Sequence, residues 1–165
     1  MTWPWSPLEI VTATELNAAT IPNAAVCIVS TSTGNTLTSG STATISWESE
    51  VLDPLGWFTG GAPTVITPTI AGYYTVSVAG SVAADPDADY TLFQIFVQKN
   101  AATVFAYSAR PSAVTTANAQ FFGTTPPILM NGTSDAFRIQ SAQVNTDADA
   151  RTYTGQFSVD LAYPT

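Results

Sequence analysis

The sequence has few groups that could perform chemistry. Histidine is absent from the 165 residues, and Cys27 is the single cysteine. A nucleophile activated by His therefore cannot be built, an internal disulfide cannot form, and no zinc-ligand spacing or phosphate-binding loop is found. Because Cys27 lies in the apolar run AAVCIV, we expect a small, buried core residue.

Positive charge is especially scarce. Only 10% of the residues are charged, the net charge is −8, and residues 1–98 contain no Lys or Arg. Nucleic-acid binding needs basic patches that neutralise phosphates, so we predict no nucleic-acid partner, and an anionic membrane is disfavoured for the same reason. No apolar run is long enough to cross a bilayer, so no membrane insertion is expected.

An export signal is also missing. The N-terminus has no positively charged start, and it carries Glu9 and Glu15. We therefore expect synthesis in a cytoplasm without a cleaved signal peptide. The hydrophobic share is 45%, which is high beside so little charge. This combination indicates that some apolar surface is hidden between subunits.

What the sequence does contain is alternation typical of strands. In the C-terminal segment RTYTGQFSVDLAYPT, Tyr153, Phe157, Val159, Leu161 and Tyr163 alternate with polar residues, which predicts one buried face. Turn signals separate many similar short segments, which favours an all-β antiparallel sandwich or jelly roll. The other predicted strands are 24–31, 43–52, 64–68, 72–83, 90–99, 102–109, 119–124 and 136–144.

The predicted strand 90–99 is apolar on both faces. Alternate residues Phe93, Ile95 and Val97 point one way, while Leu92 and Phe96 point the other way. A sandwich strand needs only one buried face. The second face could lie under a loop or against a sister subunit, and we predict that Leu92 and Phe96 belong to a subunit interface.

The N-terminal leader, residues 1–23, differs from the rest of the chain. Thr12 and Glu15 form a T-x-x-E capping box, which predicts a short helix that ends before Pro22. Two helical turns are not stable alone in water, so this leader must pack on its own domain or on another protein. We predict attachment to another protein through large apolar side chains of the leader, namely Trp3, Trp5, Ile10, Val11 and Leu16.

One acidic turn could bind a metal ion. Asp85, Asp87 and Asp89 alternate in ADPDADY, and calcium prefers clustered oxygen ligands. Tyr90 and Phe96 occupy the positions where an EF-hand loop needs Gly and Glu, so that motif is excluded. Two interpretations remain, a calcium site completed by Asp147 and Asp149, or a solvated turn without a cofactor.

A carboxylate pair and several polar loops bear on catalysis and sugar binding. Glu48 and Glu50 share one face of a strand, where their Cα atoms are about 7 Å apart. This separation suits the two carboxylates of a glycosidase. That face is the outward one, a general acid needs burial that an exposed carboxyl lacks, and we therefore predict no enzyme. Polar loops could bind sugars or could be ordinary loops, and these are residues 31–42, 84–90, 110–118 and 145–151.

The middle of the chain resembles a known family. The stretch ISWESEVLDPLGWF…ITPTIAGYYTVSVAGSVA is similar to the hallmark region of tumour-necrosis-factor-like and complement globular-head jelly rolls. QIFVQKN, ILMNGTSDAFRIQSAQV and YTGQFSVDLAY resemble later strands of that family. The resemblance implies a jelly-roll knob over residues 24–165 and a tight homotrimer. The positions that match the hallmark are Asp53, Pro68, Gly72, Tyr73 and Tyr74.

The leader has a resemblance of its own. EIVTATELNA is similar to the V-V-T-A-x-x-L-N opening of many bacteriophage tail, neck and fibre proteins. It implies a non-enzymatic structural protein on the virion surface, a trimeric knob that residues 1–23 attach to other virion proteins of the tail or capsid. The loops of such a knob could contact a host glycan. The alternative is a cellular or secreted lectin-like binding module.

Overall fold

The computed structural model describes residues 25–61, 63–83, 90–109 and 119–165. The predicted leader, with its attachment residues and its capping box, lies outside the described residues. The same holds for the carboxylates of the predicted calcium site, Asp85, Asp87 and Asp89.

The described chain forms two antiparallel sheets that stack as a sandwich. The first sheet has the order β3-β1-β10-β4-β7, and β8 also pairs with β4. The second sheet has the order β2-β9-β5-β6. The strands are β1 (Val26–Leu37), β2 (Thr42–Thr44), β3 (Ser49–Leu52), β4 (Ala71–Val82), β5 (Tyr90–Lys99), β6 (Ala102–Ala109), β7 (Ala119–Thr124), β8 (Ile128–Asn131), β9 (Phe137–Asn145) and β10 (Arg151–Pro164).

Alternation along the strands builds the core between the sheets. Inward residues of β10, such as Phe157 and Val159, are fully buried opposite Val78 and Val76 of β4. Trp47 lies against Phe157 with ring centroids 5.4 Å apart. Burying an apolar side chain of this size contributes about 1.5–3 kcal/mol, so these alternating positions supply much of the stability of the sandwich.

Two segments depart from the strand pattern predicted from the sequence. The predicted strand 43–52 is split into β2 and β3, because Asn35 binds both backbone groups of Ser46, with distances of 2.7 and 3.0 Å. The residues TGN at 33–35 have the composition of a turn, yet they do not separate two strands, since β1 continues to Leu37 through an irregularity between Thr31 and Asn35.

Two further differences concern the segments around residues 64–68 and 128–131. The predicted strand 64–68 supplies only isolated bridges from Ile66 to Phe58 and Phe137. The short strand β8, which pairs with Gly72 and its neighbours on β4, was not predicted from the sequence. Short strands of this kind leave too few alternating residues for a period to be read.

The sandwich has two distinct ends. At one end, the terminus pole, the N–H of Leu161 donates to the carbonyl of Ala25 at 3.0 Å, and Tyr73 is opposite Tyr163. At the other end, the loop pole, Val82 is opposite both Tyr153 and Ala119. The connections 84–89 and 110–118 therefore leave from the loop pole, whereas residues 1–24 join the domain at the terminus pole.

Candidate functional site

The face of the first sheet that points away from the core is the candidate site. Its residues alternate with the buried ones along β1, β4, β10, β7 and β8. We call this surface the outer face. Its main residues are Val26, Ile28, Tyr73, Thr75, Ser77, Ala79, Phe122, Leu129, Gln156, Ser158, Asp160 and Tyr163.

Four large apolar or aromatic side chains of the outer face are exposed. Phe122 is 65% exposed, Tyr163 64%, Leu129 48% and Tyr73 40%. Tyr73 is opposite Tyr163 on one side and opposite Leu129 on the other, so these three form a row across β10, β4 and β8. A contiguous apolar surface of this kind is typical of a protein interface.

The prediction for Tyr163 was wrong in detail. Strict alternation along β10 placed Tyr163 on the buried face with Leu161. A register shift between Leu161 and Tyr163 turns the last part of the strand over, so that Tyr163 faces outward. The bulge inserts one extra residue opposite β4, and each such insertion exchanges the two faces of a strand.

The centre of the outer face is made of small side chains. A shallow recess of about 150 Å³ is lined by Ser77, Ala79, Phe122, Gln156 and Ser158. The hydroxyl groups of Ser77 and Thr124 bond each other at 3.0 Å, so part of the polar surface is already satisfied. Small side chains between larger rims allow another protein surface to approach the sheet closely.

Asp160 is the single charged side chain on this face among the residues that the structure describes. Its carboxylate accepts a hydrogen bond from Ser158 Oγ at 3.1 Å. Partial burial raises the pKa of Asp160, and the bond from Ser158 opposes this only in part. An interface on the outer face would therefore contain one carboxylate per chain, that of Asp160, on an otherwise uncharged surface.

A second apolar surface runs along one edge of the sandwich. Between β6 and β7 the sheets leave a narrow opening whose lining includes Phe105, Tyr107, Phe121 and Gly123. Tyr107 is 37% exposed, and Phe105 on the same strand is half-buried. We call this surface the β6–β7 edge. It adjoins the outer face at Phe122, which lies on β7.

The predicted interface residues Leu92 and Phe96 lie on the other sheet. Both are half-buried on the side of β5 that points away from the core, where Leu92 is opposite Val144 and Phe96 is opposite Gln140. Their place in a subunit interface remains a prediction.

The two carboxylates of the possible catalytic pair have different surroundings. Glu48 accepts hydrogen bonds from the backbone N–H groups of Ser32 and Thr33, at 2.9 and 3.0 Å, and from the hydroxyl of Thr33. These bonds, the Thr33 backbone bond foremost, lower the pKa of Glu48 to about 2. Glu48 therefore braces the irregular part of β1 as a carboxylate, whereas Glu50 is exposed on β3.

Two further groups that could be reactive, a thiol and a guanidinium, have structural surroundings. Cys27 is fully buried, and burial, with the nearby carboxylate of Asp53, raises the pKa of its thiol to about 12. Arg151 binds Asp147 at 3.1 Å and lies 3.8 Å from Asp149. Within the described ranges, no group of three or more His, Cys, Asp or Glu side chains could hold a metal ion. The same ranges contain no helix that is long and apolar enough to span a membrane.

The residues that carry the family resemblance lie at the terminus pole. Asp53 Oδ2 accepts the N–H of Phe58 at 2.7 Å, and the Tyr74 hydroxyl donates to the Ile70 carbonyl at 2.7 Å. Gly72 is closely covered, since a Cβ there would lie 2.5 Å from the carbonyl oxygen of Tyr163. These positions therefore stabilise the turns and the strand pairing at this pole.

Two solved structures share this arrangement of strands. The globular domain of zebrafish complement 1qA protein matches with a TM-score of 0.63 and 10% identity, over 85% of this chain and 98% of that chain. The fold is a jelly roll of the tumour-necrosis-factor and complement-head type. The PRD1 vertex protein P5, a phage protein, matches with a TM-score of 0.57 and 13% identity, over 82% and 95% of the two chains.

The Eiger TNF from S. frugiperda has a TM-score of 0.48 and 15% identity, over 83% of this chain and 92% of that chain. No protein-family model matches the sequence, and no curated protein matches it. The similarity between this chain and the known structures is therefore a similarity of fold.

Proposed function

We propose that the chain is a non-enzymatic structural knob of a bacteriophage particle, assembled as a homotrimer through the outer face. The single observation that carries the assembly is the outer face itself. It exposes Phe122, Tyr163, Leu129 and Tyr73 beside one carboxylate, Asp160, and offers no basic side chain in its described part. Leaving such a surface in water is unfavourable, whereas a second copy would cover it.

Two different surfaces favour a closed ring over a dimer. In a two-fold dimer the same patch meets itself, whereas a ring joins two different patches around a rotation axis. The β6–β7 edge presents Phe105 and Tyr107, and the outer face of the next subunit presents the complementary apolar row. A three-fold ring of this kind agrees with the homotrimer that the family resemblance implies.

The place in a virion is supported by two likenesses. The leader resembles the opening of phage tail, neck and fibre proteins, and the fold is similar to that of the PRD1 vertex protein P5. The leader joins the domain at the terminus pole, opposite the loops 84–89 and 110–118. We infer that the leader anchors the knob and that the loop pole faces outward, at the virion surface, where a host glycan could be bound.

A lectin-like binding module of cellular or secreted origin is the second candidate. The similarity to the zebrafish complement domain, which covers 98% of that chain, favours it. It predicts that the isolated protein binds glycans and that the leader binds no partner. A glycan array with the full chain, together with a pull-down through the leader, separates the two candidates.

The decisive experiment is the solution mass of the full chain, measured by light scattering over a range of concentrations. We expect a species of three chains, each of 17.3 kDa, because three copies are needed to close the ring. A measured mass of one chain at every concentration would overturn the trimer. It would favour a lone sandwich that acts as a binding module.

A further inference from the structure

An apolar strip lies at the edge of the first sheet opposite to β7. The edge strand β3 is exposed along its whole length, and it pairs only with Ile28–Ser30 of β1. Val51 is 54% exposed, Leu52 45% and Leu55, in the turn that follows, 37%. We call these three residues the β3 edge. Native proteins usually cover or charge such an edge, because it invites other chains to pair with it.

The described chain begins beside this edge. Ala25 is buried, with 2% exposure, and it is fixed to Leu161 of β10. Leu52 is opposite Ile28, a few residues farther along β1. At about 3.3 Å per residue along a strand and about 4.8 Å between strands, Leu52 lies roughly 11 Å from Ala25. The segment 1–24 therefore enters the domain within a short reach of the β3 edge.

The chemistry of the segment 1–24 matches that of the edge. It contains no Lys or Arg, and its acidic residues are Glu9 and Glu15. Its large apolar side chains would be costly to leave in water, just as those of the β3 edge are. These side chains are Trp3, Trp5, Leu8, Ile10, Val11, Leu16 and Ile21.

We propose that the β3 edge is the docking surface for the segment 1–24 of the same chain. Part of the segment covers Val51, Leu52 and Leu55 and thereby holds the base of the leader at the terminus pole, while the rest of the leader stays available for the proposed attachment. This inference goes beyond the proposed attachment. It concerns a contact within one chain, and it holds whether or not the chain belongs to a larger particle.

Limited proteolysis of the full chain tests the docking. Chymotrypsin cuts after aromatic residues and Leu, so it can cut after Trp5 and Leu16, whereas trypsin has no site before Lys99. We expect the variant Val51→Ser to be cut within residues 1–24 roughly ten-fold faster than the parent chain. Cleavage of a transiently opened segment follows the population of the open form, so this rate reports the docking directly.

A matched control is available on another strand. Val104, on β6, is 43% exposed, and Val104→Ser removes the same side chain at a distance from the leader. We expect its cleavage within residues 1–24 to stay at the parent rate. Equal rates for the two variants would overturn the proposal. So would a changed solution mass of Val51→Ser with unchanged cleavage, because the edge would then bind a second copy.

Leu55→Ser is a second variant that tests the docking without altering β3, since Leu55 lies in a turn outside the strand ladder. It is expected to accelerate the cleavage in the same direction. Near-ultraviolet circular dichroism of the buried Trp47 and Trp57 reports whether each variant keeps its core. The trimer test by Phe122→Ser is separate from this outcome, because Phe122 lies on β7, and β3 and β7 are at opposite edges of the first sheet.

Discussion

At the scale of single residues, a surface carboxylate has a structural role in this fold. In the sequence Glu48 suits one half of a catalytic pair, yet its side chain reaches back to β1 and accepts the N–H groups of Ser32 and Thr33. These N–H groups lie next to the irregularity between Thr31 and Asn35, where the strand loses regular pairing. A charged acceptor therefore replaces ladder bonds that the bulge removes.

This role predicts a pH-dependent effect of Glu48→Gln. The pKa of Glu48 is lowered from 4.5 to about 2, so its contribution to stability is present above pH 4.5 and is lost as the pH falls towards about 2. We expect the variant to melt below the parent protein at pH 7, and the gap in Tm to narrow between pH 4.5 and 2. Calorimetry at several pH values measures both.

Glu50→Gln is the control, because Glu50 is an exposed carboxylate on β3, close to Glu48 in the chain. A gap in Tm that is equal for the two variants, or that widens in acid, would contradict the structural role of Glu48.

At the scale of secondary-structure elements, close packing between β4 and β10 depends on two glycines. Gly80 is directly opposite Gly155 in the antiparallel pairing of these strands. A Cβ on Gly155 would lie 2.5 Å from the carbonyl oxygen of Ala79 and 2.7 Å from the hydroxyl of Tyr153. Gly155, in the stretch YTGQFSVDLAY that resembles a strand of the family, thus occupies a position without room for a side chain.

We therefore expect Gly155→Ala to lower the free energy of unfolding by about 1–3 kcal/mol, the usual cost of overpacking. Gly123→Ala is the matched control in β7, where the nearest atom to an added Cβ is 3.9 Å away, an ordinary contact. Urea denaturation at one protein concentration compares the two variants. Equal midpoints for both would show that β4 and β10 can separate to admit the methyl group.

At the scale of the whole molecule, two candidate interfaces compete. The sequence predicted Leu92 and Phe96 on β5, and the exposed apolar row of the first sheet supports Phe122 and its neighbours instead. The two surfaces belong to different sheets, and the proposed ring is built on the outer face and leaves the outward side of β5 uncovered.

One pair of variants decides between these surfaces. Phe122→Ser removes a side chain that is 65% exposed, so we expect the trimer to dissociate while each subunit stays folded. Phe96→Ser alters the second sheet, and we expect it to keep the trimer. Sedimentation velocity measures both masses. If only the Phe96→Ser trimer dissociates, the interface lies on β5, as the sequence predicted.

Several features follow from the sequence by itself. Alternation along β4, β5 and β10 specified an all-β sandwich, because burial on one face imposes a period of two wherever a strand is long enough. The missing His excludes a nucleophile activated by His, and the scarcity of Lys and Arg underlies the prediction of no nucleic-acid partner, since both depend on residue types and not on their placement. The apolar run around Cys27 likewise indicated its burial, which the structure confirms.

Other features were decided only by the tertiary structure. The bulge after Leu161 turns Tyr163 outward, and pairing across β10, β4 and β8 then places it in one row with Tyr73 and Leu129. These residues are far apart in the chain, so no local pattern could bring them together. Periodicity specifies which residues share a face of one strand, whereas register and strand order decide which faces meet, and those depend on contacts between distant segments.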